Sequence, residues 1–111
     1  MSTYTYKSTS TAITTAVADL YQAPASAGNA ATVLSVLVSN INGTASADLT
    51  LSKTDASNNI AGYITYTVPV PANTTLECVP NKIILMAGQK LRVLTSANSY
   101  LQATISVVEI V

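Results

Sequence analysis

Hydrophobic and polar residues alternate with a period of two along most of the chain, and that period predicts strands. In Thr32-Val33-Leu34-Ser35-Val36-Leu37-Val38-Ser39, Leu34, Val36 and Val38 fall on one face, and Val33, Ser35, Leu37 and Ser39 on the other. Both faces are largely apolar, which predicts a central strand covered on each side. Ala47, Leu49 and Leu51 alternate with Asp48, Thr50 and Ser52, the pattern of a half-buried strand. Tyr63, Thr65 and Thr67 alternate with Ile64, Tyr66 and Val68 as far as Pro69, so Tyr63 and Tyr66 are expected on opposite faces. Leu91 and Val93 oppose Lys90, Arg92 and Leu94, and over residues 100–110 Leu101, Ala103, Ile105 and Val107 oppose Thr104, Ser106 and Val108. Helical spacing never prevails over ten residues, and the β-branched content agrees with strands.

Turn chemistry separates these runs. Asn42-Gly43 is a strong hairpin signal where strands flank it. Asp55-Ala56-Ser57-Asn58-Asn59 reads as a polar turn, Pro71-Ala72-Asn73 as another, Ala87-Gly88-Gln89 as a tight one, and residues 23–31 as a loop. About eight strands at this spacing predict an all-β, single-domain antiparallel β-sandwich, jelly-roll or Ig-like, over residues 13–111. Residues 1–12 precede it as an arm or an edge strand. Their first ten residues carry no aliphatic side chain after Met1, and Tyr4 and Tyr6 would share one side.

Composition narrows the chemistry. Only ten of 111 residues are charged, five of each sign, and histidine is absent. An ordinary domain is about 25% charged; this one, at 9%, has a surface suited to facing other protein. Zero formal net charge opposes no self-association. Without histidine, triads and most zinc sites are excluded, and no enzymatic role is expected. Asp48 and Asp55 read as solvated turn residues, and the Asp55 loop has too few carboxylates for calcium. The four glycines are too scattered for a phosphate loop. No catalytic, cofactor or metal residue is therefore expected.

Lys90 and Arg92 are the only close cations, too few for a nucleic-acid stripe. Cys78, alone beside Val79, reads as a small core residue. No targeting segment is read, and residues 30–41 are too short and polar to span a bilayer, so neither nucleic acid nor membrane is an expected partner. The tyrosines Tyr4, Tyr6, Tyr63, Tyr66 and Tyr100 are the expected interface residues.

Leu20-Tyr21-Gln22-Ala23-Pro24-Ala25, followed by residues 31–40, resembles a pattern common in small all-β virion proteins of tailed phages. Val70-Pro71-Ala72-Asn73-Thr74-Thr75-Leu76, the expected hairpin of residues 83–93, and residues 103–109 continue the resemblance, which covers roughly residues 20–110. It implies a bacteriophage structural protein of the virion, made in the host cytoplasm. A capsid decoration (cement) protein fits best, binding the major capsid protein or other virion proteins as a homo-oligomer, a trimer or dimer. A neck, tail or fibre-base protein is the alternative, and a glycan-binding module a further one.

Overall fold

The computed structural model describes residues 3–79 and 81–111. Residues 1 and 2 of the expected arm lie outside them. Nine strands follow in order: β1 (Tyr4–Ala12), β2 (Ala18–Gln22), β3 (Ala30–Asn40), β4 (Ala47–Thr54), β5 (Ile60–Val70), β6 (Thr75–Glu77), β7 (Ile83–Met86), β8 (Lys90–Thr95) and β9 (Leu101–Ile110). They form two antiparallel sheets. The first has the order β1-β9-β3-β6, with β7 also paired to β3; the second has the order β2-β8-β4-β5.

β6 pairs with Leu37–Ser39 of β3, and β7 with Ala30–Val33 of the same strand. β6 and β7 are thus two halves of one edge strand. Counted as one, they leave eight strands in two sheets of four. Strands adjacent in sequence lie almost everywhere in opposite sheets, the connectivity of a jelly roll and not of an Ig domain.

The core lies between the sheets. Leu101, Ala103, Ile105 and Val107 of β9, with Leu91 and Val93 of β8, point inward as their alternation predicts. Ala31, Val33, Val36 and Val38 meet Leu49, Leu51 and Leu85, and Ile13 closes one end from the β1–β2 connection. Each large aliphatic side chain buried here contributes about 1.5–3 kcal/mol. Cys78 is buried among them, and burial pushes its thiol pKa up to about 12.

Two alternations break, each at a bulge. The β3–β9 register shifts between Val33 and Ser35. The extra residue turns Leu34 away from Val36 and Val38, so Leu34 and Leu37 are exposed on the outer face. β3 is central in its sheet but covered on one side only, where its sequence predicted cover on both. In β5, the pairings Leu51↔Thr65 and Ser52↔Tyr63 skip Ile64. That shift brings Tyr63 and Tyr66 together, with ring centroids 4.7 Å apart at 70°, so the expectation of opposite faces is corrected.

The Asn42-Gly43 turn is no hairpin. It carries the chain from β3 in one sheet to β4 in the other. The buried side chain of Asn40 organises this crossing: its Nδ2 donates to Ala45 O (3.0 Å) and Val70 O (2.8 Å), and its Oδ1 accepts from Asn42 N (2.8 Å). The turn at Gly88 likewise passes from β7 to β8 between sheets, where a hairpin was expected. The β4–β5 turn is a true hairpin. Asp55 Oδ1 accepts from Ser57 N and Asn59 N, and these bonds, the Asn59 amide first, lower its pKa.

Candidate assembly surfaces

The outer face of the first sheet is built by register. Directly paired residues share a face, and the pairings line up across four strands. Tyr4 lies opposite Ile110, Ile110 opposite Ala30, and Ala30 opposite Met86. In the next row Tyr6 lies opposite Val108, Val108 opposite Thr32, and Thr32 opposite Ile84. One end of this face is therefore a nearly continuous apolar surface. Tyr6 is 79% exposed, Ile84 59% and Met86 58%, large values for side chains of this kind.

The opposite end of the face carries hydroxyls. Ser8, Ser106 and Ser35 form one row; Ser10 Oγ lies 2.9 Å from Thr104 Oγ1, and Ser39 Oγ 3.0 Å from Thr75 Oγ1. Glu77 is the one charged residue among the outward positions of these strands, and its carboxylate accepts from its own chain at Val79 N (3.0 Å). The face has an apolar end and an end where hydroxyls surround the exposed Leu34 and Leu37, with almost no charge on either.

The second sheet presents a different outer face. Asp19 on β2 meets Arg92 Nε at 2.8 Å and Lys90 Nζ at 3.5 Å on β8. The two close cations share one carboxylate, which balances one of their two charges. Tyr63 and Tyr66 stand at the β5 margin as an edge-to-face pair, a corner of two rings with no shared flat platform for a sugar.

The five expected interface tyrosines therefore separate. Tyr4 and Tyr6 are on the first sheet, Tyr63 and Tyr66 on the second, and Tyr100 is partly buried against the core. Ala30, Ile84, Met86, Val108 and Ile110 were not anticipated. Their signal was present: in the apolar run of residues 83–86, alternation must expose every second side chain, and Val108 and Ile110 continue the outward parity of Thr104 and Ser106.

At the margin between the sheets lies a half-buried polar cluster. Tyr21 of β2 donates its hydroxyl to Glu109 Oε2 of β9, and Lys7 Nζ lies 3.0 Å from Glu109 Oε1. The Tyr21 bond, then Lys7, hold the Glu109 carboxyl below its usual pKa against the opposing effect of burial. Burial first, and Glu109 second, push the Tyr21 phenol up and keep it protonated. Among the described residues no three of Cys, Asp and Glu gather as metal ligands.

Neither a family model nor a curated protein sequence matches the chain. Solved structures do. A chain from a study of Bacillus endospore appendages, described as disulfide-linked pili, aligns over 98% of this chain and 86% of its own at TM-score 0.60 and 8% identity. A chain from the capsid of Helicobacter pylori bacteriophage KHP30 aligns over 100% and 94%, at TM-score 0.56 and 8% identity. A chain of infectious bursal disease virus, Gx strain, aligns over 100% of this chain but 33% of its own, at TM-score 0.55 and 12% identity. The fold is shared with chains of viral capsids and of a pilus. At such identities the likeness is one of fold alone.

Proposed function

We propose that this chain is a structural protein of a phage virion, a decoration subunit that binds the outside of the shell as a small homo-oligomer and acts without catalysis. The observation that carries the reading is the apolar end of the first sheet's outer face, where Tyr4, Tyr6, Ala30, Ile84, Met86, Val108 and Ile110 meet across four strands. Exposed apolar surface of this kind, rimmed by Ser and Thr hydroxyls, fits a protein partner. Binding only the assembled shell stabilises that state by mass action.

The fold shared with capsid chains supports a virion role. The sandwich spans nearly the whole of the phage KHP30 capsid chain but one third of the bursal disease virus chain. The pilus reading lacks support from the linkage named for the appendages: the one cysteine, Cys78, is buried.

Purified virions of the source phage test this reading. Hundreds of copies per particle by quantitative gel staining, with removal and rebinding of the chain to the shell, are expected. Six or twelve copies would move it to the neck or tail. Absence from the particle would overturn the reading.

A further inference from the structure

The four sheet margins are not equivalent. Natural sheets protect exposed edges with short strands, breaks, bulges, prolines or charges. β2 has five residues, a register shift and the Asp19 carboxylate. β5 carries three register shifts against β4 and holds Pro69. β6 and β7 are a broken strand with Lys82 exposed in the break. β1 has the fewest of these devices: its nine residues pair with β9 without a shift, contain no Pro and no Gly, and hold one charge, Lys7, which is paired with Glu109 of the same chain.

β1 also buries nothing. Every one of its side chains is exposed, on both faces. Fixing a residue's backbone costs conformational entropy, and here no core contact offsets that cost. The strand rests on its β9 ladder, the Ser10–Thr104 contact and the Lys7–Glu109 pair.

The ladder fixes which backbone groups are free. Thr3 and Val111 exchange both hydrogen bonds, at 2.7 and 3.0 Å, and Ile13 N donates to Leu101 O. Odd-numbered residues therefore bond to β9, and Tyr4, Tyr6, Ser8, Ser10 and Ala12 direct N–H and C=O outward. These five positions are symmetric about Ser8.

We propose that β1 pairs antiparallel with β1 of a second copy, with the two-fold axis at Ser8, so that Tyr6 lies opposite the partner's Ser10 and Tyr4 opposite the partner's Ala12. The occupant is a second copy because the edge is self-complementary under a two-fold, as isologous dimers require. The strand's single charge, Lys7, is neutralised by its own Glu109 at 3.0 Å and faces the partner's Thr9 across the new ladder. The axis stands perpendicular to the sheet, so the two first sheets join as one and both apolar ends face the same side. A surface that binds one end is then offered two, and linked sites gain avidity. Nine residues a side is a small interface against the usual 20–30, so a weak dimer is expected, with a dissociation constant on the order of micromolar.

The inference deepens the self-association in the reading above. Its test is sedimentation together with amide exchange of the full chain at about 1 and about 200 μM, concentrations bracketing that range. The expected result is a doubling of mass from 11.5 kDa, with slowed exchange at Tyr6, Ser8 and Ser10 at the higher concentration. Ser8→Pro removes an outward N–H and no bond to β9; it is expected to abolish the doubling and leave unfolding of the monomer unchanged, while Ser8→Ala keeps the dimer. A chain monomeric at about 200 μM, or a Ser8→Pro dimer, overturns the proposal. Protection of these amides only on binding particles also overturns it, in favour of a shell strand as occupant. A monomeric Ser8→Pro chain that still binds particles leaves the shell reading intact; a wild-type dimer that never binds them defeats that reading alone.

Discussion

Tyr21 on β2 donates its hydroxyl to the carboxylate of Glu109 on β9, and so joins the two sheets through a polar contact at the margin of an apolar core. The same carboxylate holds Lys7 of β1 at 3.0 Å. One acidic group therefore ties three strands.

This tie makes stability depend on pH with a defined sign. The Glu109 pKa is lowered on folding, below an unfolded value of about 4.3. Its stabilisation is full above that value and is lost as pH falls through the folded one. Tyr21→Phe is expected to cost about 1.5 kcal/mol at pH 7. The deficit shrinks towards zero in urea titrations at acid pH, where wild type loses the same interaction.

Asn40, the last residue of β3, holds the β3–β4 connection and the end of β5 through two carbonyls and one amide. Asn40→Ala leaves the buried Val70 carbonyl, and the half-buried Ala45 carbonyl and Asn42 amide, without this partner and is expected to cost about 2 kcal/mol. Asn40→Asp is expected to cost at least as much, because a carboxylate then faces two carbonyl oxygens. Chemical denaturation measures both.

Gly88 has φ +76°, and a Cβ there would lie 3.0 Å from that of Ala56. Gly88→Ala meets both strain and contact, and a loss of about 1–2 kcal/mol is expected. Gly43, with open space around it, is the control, where alanine is expected to change the thermal midpoint little.

Cys78 is expected to resist thiol reagents at pH 8 in the folded chain, since burial holds its thiol protonated with a pKa of about 12. Labelling at full stoichiometry appears only in denaturant. Rapid labelling of the native chain would contradict its placement.

Particle binding through the first sheet's outer face is expected to depend only weakly on salt, because among the described residues no charged side chain lies on the outward rows of the apolar end. Ile84→Lys places one there. It is expected to leave stability within about 0.5 kcal/mol and to lower retention on particles at least tenfold.

The strands and their inward residues were legible wherever alternation ran unbroken, as in β8 and β9. They were not legible at Leu34 or at Ile64, because a bulge is a mismatch between two strands and neither sequence shows it alone. Turn residues marked where the chain bends but not which sheet receives it; Asn42-Gly43 and Gly88 both read as hairpins and both cross the sandwich. The apolar surface combines short rows from four strands, each unremarkable by itself. Only the pairing register assembles them, so the tyrosines stood out and their aliphatic neighbours did not.

The Thr3–Val111 backbone pair has a practical consequence for anyone handling this protein. It sets Thr3 and Val111 side by side, next to Tyr4 and Ile110. A tag or fluorescent fusion joined close to Thr3 or Val111 would sit beside the apolar surface and crowd it. The loop at Asn42–Thr44, at the far end of β3, is the site where a label leaves that surface clear.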